Sequence, residues 1–222
     1  MPDPDLNVVI IGVGVGGLCL AQGLRQAGIP VRVYERDQAP DARLQGYRLN
    51  IEPMGSRALH DCLPGHLWDL LVRTAGDPGP GMNVLTQRMR LLMREPGESR
   101  ADPADGAHAV SRATLRRVLL AGLDEVHFGK EFTRYEQDGG NIALCDARDL
   151  CQALRQAQPG QVRAAVAEYE RQMLPRGFGA VGASRRYLHL AISRNPALRL
   201  TALGFFRLCG AIGPLRRAVF AD

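Results

Sequence analysis

The sequence predicts an α/β fold, with a βαβ unit at its start and a mostly helical C-terminal region. An apolar, β-branched run at 6–11 predicts a strand that is buried on both faces. A helical pattern follows over 15–27 and is closed by Gly28, with Pro30 just beyond it. The run "VRVYE" at 31–35 predicts a second strand, which completes one βαβ unit.

Further elements follow along the chain. Short helices are expected over 54–63 and 66–74, a strand pair within 82–94, and a helix over 111–123 capped by Ser111. The segments "EVHFG" and "EFTRYEQ" are strand-like. Beyond the break at 138–140, the pattern predicts four helices, over 141–157, 161–174, about 180–193 and about 196–220.

The stretch "GVGVGG" at 12–17 follows the G-x-G-x-x-G spacing of a dinucleotide-binding turn. Gly12 permits the tight turn out of the strand, Gly14 lets the backbone approach a pyrophosphate, and Gly17 lets the helix pack on the strand. The phosphates then meet free N–H groups at the helix N-terminus. Glu35, at the end of the second strand, can accept ribose hydroxyls and disfavours the 2′-phosphate of NADP. The motif itself does not separate NAD from FAD.

Residues 8–36 resemble the N-terminus of the FAD-dependent monooxygenases of the aromatic-hydroxylase type, in which the second strand commonly ends in Glu-Arg. The similarity continues at 46–59, 110–123 and 126–137. The resemblance implies FAD as the cofactor and a Rossmann-like FAD-binding part over 1–140, followed by a helical part over 141–222.

The resemblance also implies roles for single residues. Arg36 would flank the adenine, Arg112 would approach the FAD, and Arg48 is a weaker candidate near the flavin. Asn141 could cap the 141–157 helix, whose dipole would favour a reduced flavin, or it could be a cap with no ligand. The pyrophosphate and ribose would be held by Gly12, Gly14, Val15, Gly16, Gly17 and Glu35.

A block of the family pattern is absent between the two matching regions. Residues 141–154 resemble the helix that follows the family's second FAD motif, so the blocks meet near Gly139–Gly140. The Asp-Gly motif strand, the β-sheet substrate domain and the Gly-Asp segment between them are not found. The first strand should therefore form an exposed apolar edge. The 141–157 helix is expected to cover it with Ile142, Leu144, Leu150 and Leu154, unless a second subunit does so.

Two hypotheses about function follow. The first is an oxidoreductase of monooxygenase type that uses NAD(P)H and O₂ to hydroxylate or epoxidise an aromatic or polyketide-like molecule, and that is truncated and poorly active. The second is a non-catalytic nucleotide-binding remnant or interaction module. The sequence identifies no catalytic residue and no metal site, because His60, Cys62 and His66 lack zinc-finger spacing.

The composition of the chain bears on its source, on the partners it can bind and on its location in the cell. The net charge is +5, with 27 Arg and one Lys, a ratio typical of a GC-rich, here bacterial, genome. Basic residues do not cluster with aromatic ones, which argues against nucleic-acid binding. No apolar run reaches the ~18 residues of a membrane span, although the apolar, Arg-containing tail at 197–220 could lie on a membrane surface instead of packing on the core. Five cysteines without C-x-x-C indicate reduced thiols in the cytoplasm.

Overall fold

The computed structural model describes residues 6–40, 42, 48–76, 79, 81–96, 102–131, 140–192 and 196–215. These residues form two compact units, the first from 1–77 and 100–174 and the second from 78–99 and 175–222. The boundary expected between residues 140 and 141 does not coincide with this division, and as a domain boundary it stays a prediction.

Seven strands and seven α-helices are described. The strands are β1 (Val8–Ile11), β2 (Val31–Tyr34), β3 (Arg48–Ile51), β4 (Gly81–Leu85), β5 (Leu91–Pro96), β6 (His108–Ser111) and β7 (Val126–His127). The helices are α1 (Val15–Gln26), α2 (Pro53–Cys62), α3 (Gly65–Thr74), α4 (Arg112–Leu120), α5 (Gly140–Gln156), α6 (Val162–Ile192) and α7 (Pro196–Ala211). A short 3₁₀ turn spans Pro103–Asp105.

A parallel three-stranded sheet in the order β1-β2-β7 forms the centre of the first unit. Helix α1 connects β1 to β2, so the predicted βαβ unit is present. The helix ends in a Schellman motif: Gly28, at a φ of +72°, donates to the Arg25 carbonyl, and Ile29 donates to that of Leu24. Gly28 therefore ends the helix as its sequence position indicates.

A second, antiparallel pair of strands contacts helices α2 and α4. Strand β3 pairs with β6 and was not anticipated from the sequence. Strand β6 leads directly into α4, and Ser111 occupies the N-cap position of that helix. Ser111 is thus the N-cap residue as predicted, although its side chain makes no capping hydrogen bond. The strand-like segment "EFTRYEQ" lies outside the described residues, except for Glu131.

Strand β1 is buried on one face only, contrary to expectation. Ile10 packs toward α1 and is buried, whereas the side chains of Val9 and Ile11 are 55% and 50% exposed. In the described part of the chain, β1 pairs with β2 alone, so its other side is the edge of the sheet. The apolar edge inferred from the absent block is therefore present, together with an open apolar face.

Helix α5 packs on α1 and α2 and leaves these two residues of β1 exposed. Leu144 and Leu154 are buried and Leu150 is partly buried in the core of the first unit. The approach is close because Gly16 on α1 has no side chain: a Cβ there would lie 2.8 Å from both the Cβ and the carbonyl oxygen of Ala143. The expectation that this helix covers the edge of the first strand is wrong for Val9 and Ile11, because Leu144, Leu150 and Leu154 pack into the core of the first unit. The side chain of Ile142, the fourth residue of that expectation, lies outside what the structure describes.

The second unit contains an antiparallel hairpin and helical segments. Strands β4 and β5 form the strand pair expected within 82–94, and α7 packs on β5, with Gly210 against the Leu92 carbonyl. The predicted break between helices at about 175–179 is wrong, since α6 continues through Pro175. Helix α7 ends at Ala211, and residues 216–222 lie outside the described ranges. None of the described helices is long and apolar enough to cross a membrane.

We expect Gly16→Ala to lower the free energy of unfolding by about 1–3 kcal/mol, because the added methyl group meets the backbone of α5. Urea denaturation followed by circular dichroism measures this change. Gly65→Ala is the matched control: a Cβ there has no atom within 4 Å, and Gly65 starts α3. An equal effect of both substitutions would contradict the close α1–α5 contact.

Candidate functional site

The glycine turn joins the end of β1 to the start of α1. Gly12 has a φ of +99°, a left-handed conformation that a side chain disfavours, and its N–H donates to the Tyr34 carbonyl at 2.7 Å. A Cβ on Gly17 would lie 2.7 Å from the Gly12 carbonyl oxygen and 3.1 Å from Cγ2 of Ile10. Gly12 and Gly17 therefore have the local roles that the motif predicts, a tight turn and close packing of helix on strand.

Space is open at Gly14, the N-cap residue of α1. A Cβ built there has no atom within 4 Å, and its φ of −67° is accessible to any residue. The first turn of α1 contains no acidic residue and no side chain caps it. Its leading N–H groups have no acceptor within the helix, and the helix dipole makes this end positive. The surface at Gly14 can therefore receive an anion.

Glu35 connects the end of β2 to the glycine turn. Its carboxylate accepts the N–H of Val13 at 2.7 Å and that of Asp37 at 2.9 Å, and the residue is only 8% exposed. Burial raises the pKa of Glu35, but these hydrogen bonds and the charge of Arg116 outweigh it, so the pKa lies below the ordinary value. Glu35 is thus an ionised side chain that fixes the turn.

Arg116 on α4 is a site residue that the sequence did not single out. Its Nη2 lies 3.9 Å from Oδ2 of Asp37, and both side chains are largely buried. Its Nε and Nη2 atoms are buried and have no hydrogen-bond partner in the part of the chain that is described. Arg116 lies four residues after Arg112, which is one helical turn, and this spacing is the signal that could have identified it.

The other predicted arginines lie on the surface. Arg36 and Arg112 are exposed, and Arg112 is the first residue of α4. Arg48 on β3 is exposed and pairs with Ser111, so the structure brings Arg48 next to the start of α4. Val15 is the first residue of α1 and is half-buried.

Asn141 differs from its predicted role as a helix cap. Helix α5 begins at Gly140, so Asn141 lies inside its first turn instead of capping it. The side chain of Asn141 is outside what the structure describes. Gly16 is in contact with Ala143 of α5, and its expected place at the pyrophosphate stays a prediction. Within the described ranges, no group of three or more His, Cys, Asp or Glu side chains could hold a metal ion.

The sequence of the chain is similar to those of several known FAD-dependent monooxygenases. No family model matches the chain. It is 34% identical over 141 residues to a dual O-methyltransferase/FAD-dependent monooxygenase of Phaeosphaeria nodorum, covering 62% of this chain and 15% of that one. It is 36% identical over 145 residues to a probable FAD-dependent monooxygenase of Arthroderma benhamiae, covering 64% and 33%. An FAD-dependent monooxygenase of Talaromyces islandicus is 28% identical over 219 residues, covering 96% and 53%.

A solved structure agrees with these relatives. A protein of Photorhabdus luminescens, assigned as an FAD-containing monooxygenase, shares 36% identity and a TM-score of 0.50 over 60% of this chain and 33% of its own. The predicted resemblance is confirmed: about 60% of the chain is similar to FAD-dependent monooxygenases. The chain spans about half or less of the length of each of these relatives, which fits the absence of part of the family pattern.

We expect Glu35→Gln to lower the free energy of unfolding at neutral pH by about 1–3 kcal/mol, because an amide cannot accept both backbone N–H groups. The folded-state pKa of Glu35 lies below its ordinary value of 4.5. The carboxylate therefore contributes stability above that pH and loses it as the pH falls through the folded-state pKa.

Urea denaturation at a series of pH values tests this expectation. The difference between wild type and Glu35→Gln should narrow in acid. Glu125→Gln serves as the control, because Glu125 makes an exposed contact with His127 and should change stability little. A difference between wild type and Glu35→Gln that does not depend on pH would contradict the assigned role.

Proposed function

We propose that the chain binds the ADP half of FAD at the N-terminus of α1 and that its activity derives from that of the FAD-dependent monooxygenases. The observation that carries this proposal is the open backbone at Gly14, at the positive end of an uncapped helix. The similarity to FAD-dependent monooxygenases supports FAD as the nucleotide, since the motif alone would also suit NAD.

The residues around the turn fit an adenosine diphosphate group. Phosphate oxygens would meet the N–H groups of Val15, Gly16 and Gly17 near the open space at Gly14. Glu35 accepts one N–H at each carboxylate oxygen and keeps lone pairs that could accept ribose hydroxyls. Because Glu35 is ionised, it would repel a 2′-phosphate, which supports FAD or NAD over NADP at this turn.

Further positive charge is available near the turn for the nucleotide. Arg36 follows Glu35 directly and would flank the adenine. Arg112 at the start of α4 and Arg48 beside it would face the more distant part of FAD. Arg116 would keep the acidic pair of Glu35 and Asp37 from repelling the diphosphate, because its guanidinium lies close to both. Asn141 stays a candidate for the flavin end of the site because it lies in the first turn of α5.

FAD, when bound, would supply electron transfer from NAD(P)H to O₂ for hydroxylation or epoxidation of an aromatic or polyketide-like substrate. This chain would bind and orient the nucleotide end of the cofactor. Its residues offer little to exclude water, since the described face of β1 with Val9 and Ile11 is open. Oxygen transfer needs a dry site, and we therefore propose weak coupling between NAD(P)H oxidation and product formation.

The same open face supports a second candidate, a nucleotide-binding remnant without catalysis. It also supports a homodimer in which a second copy covers Val9 and Ile11, because apolar side chains at an unpaired sheet edge favour association.

We further propose a cytoplasmic location in a bacterial cell, supported by five free, buried cysteines and by the Arg-rich composition. A flavin absorption spectrum that persists after gel filtration would favour the first candidate over the remnant.

Gly14→Val should abolish binding of FAD and ADP while leaving the fold intact. The valine side chain would occupy the space that the diphosphate needs, but it has room and an accessible φ in the free protein. Isothermal titration calorimetry with ADP should show an affinity loss of at least ~100-fold, about 2.7 kcal/mol. Gly65→Val at the open start of α3 is the control. Equal ADP affinity for wild type and Gly14→Val would overturn the proposed site.

In the FAD-loaded chain, NAD(P)H consumption should yield hydrogen peroxide and not hydroxylated product, because water reaches the site. A peroxide assay run beside product analysis by mass spectrometry measures the ratio. Catalase controls for secondary peroxide chemistry. Stoichiometric hydroxylated product per NAD(P)H would disprove weak coupling, whereas no NAD(P)H consumption at all would favour the remnant.

A further inference from the structure

Three cysteines from three helices meet beside Gly23 of α1. A Cβ on Gly23 would lie 2.8 Å from Sγ of Cys151 on α5 and 3.2 Å from Sγ of Cys62 at the end of α2. Since both sulfur atoms lie so near one point, they are within about 6 Å of each other. Cys19, one helical turn before Gly23, completes the cluster and is fully buried. The absent side chain at Gly23 thus makes room for two thiols.

A cavity reaches two of these thiols from the surface. It has a volume of about 500 Å³ and is lined by Asp61, Cys62, Arg148, Cys151, Gln152, Arg155 and Gln156. Cys62 and Cys151 are each nearly fully buried, and this cavity is where a small molecule would approach them. The lining contains two guanidinium groups and one carboxylate, which favours small polar or anionic molecules. A hydroperoxide fits this description.

The surroundings give the two thiols unlike acidities. A hydrogen bond with the Cys19 thiol lowers the pKa of Cys62, and Arg148 and Arg155 lower it further against the effects of burial and Asp61. Burial and the neighbouring Cys62 raise the pKa of Cys151 to about 11. A thiolate is the nucleophilic form of cysteine, so attack on an oxidant would begin at Cys62 and not at Cys151.

We propose that Cys62 is a peroxide-reactive thiol and that Cys151 is its resolving partner, so that a hydroperoxide converts the pair into a disulfide between α2 and α5. The Cys62 sulfur attacks one oxygen of the hydroperoxide. The O–O bond breaks, an alcohol or water leaves with a proton, and Cys62 becomes a sulfenic acid. The Cys151 sulfur then attacks the Cys62 sulfur, the S–O bond breaks, and water leaves with the Cys151 proton. Two thiols lose two electrons and the hydroperoxide gains them.

The two thiols lie on helices that are already in contact. Helices α2 and α5 already pack together, and the two sulfur atoms must close from within about 6 Å to the ~2.05 Å of a disulfide bond. The product would link α5 covalently to α2 beside Gly23 of α1. Formation of this disulfide does not require bound FAD, because the hydroperoxide can be added directly.

The test uses the reduced full chain with equimolar hydrogen peroxide, followed by alkylation, trypsin digestion and mass spectrometry. Trypsin cleaves after Arg57, Arg73, Arg148 and Arg155, so Cys62 and Cys151 fall in separate peptides, apart from Cys145. We expect a linked Cys62–Cys151 peptide to account for most of the thiol that is lost. Cys209, buried in the second unit, should stay reduced.

Variants separate the two roles. In Cys151→Ala, Cys62 should stop as a sulfenic acid that dimedone traps. In Cys62→Ala, Cys151 should stay unreacted. Cys145→Ala is the control on the same helix, and the disulfide should form in it as in wild type. Loss of thiol at Cys209 as fast as at Cys62, or a disulfide from Cys62 to any cysteine other than Cys151, would overturn the proposal.

A second measurement on the unmodified chain applies even where an alanine variant does not fold. Brief iodoacetamide labelling of the folded wild type at neutral pH ranks all five thiols by rate. We expect Cys62 to be labelled at least ~10-fold faster than each of the others, in line with its larger thiolate fraction. Faster labelling of Cys151 or Cys209 than of Cys62 would reject the assigned nucleophile.

Discussion

Close packing between α1 and α5 depends on two positions of α1 that have no side chain. At Gly16 the helix lies against Ala143, and at Gly23 it leaves room for the sulfur atoms of Cys62 and Cys151. The two glycines are seven residues apart, which is two helical turns, so they lie on one face of α1. This contact places α5 beside the glycine turn, and it forms part of the core of the first unit.

The nucleotide end of the site depends on a second constraint, the buried carboxylate of Glu35. Its hydrogen bond to Val13 joins the end of β2 to the turn between β1 and α1. Contacts within the protein therefore fix the turn, so the proposed binding of a diphosphate would need little further ordering. No comparable arrangement is described for the flavin end, where Arg48 and Arg112 are exposed. Among the described residues, the proposed nucleotide end is thus more fully defined than the proposed flavin end.

Local patterns predicted local structure well. The βαβ unit, the Gly28 helix end and the strand pair within 82–94 follow from apolar runs, turn residues and glycine spacing. The exposure of Val9 and Ile11 and the packing of α5 depend on which elements are adjacent in space, and a strand pattern does not contain that information. Helix α6 continues through Pro175, where residue preferences favoured a break. Arg116 was missed because its role comes from proximity to Asp37 and Glu35.

The start of α1 is the proposed site for the ADP half of a dinucleotide. Titration of the ¹⁵N-labelled chain with ADP, followed by amide chemical shifts, tests it most directly. We expect the largest shifts at the N–H groups of Val15, Gly16 and Gly17, with a smaller response at Val13 through Glu35. Shifts centred elsewhere on the folded chain, or none at saturating ADP, would contradict it.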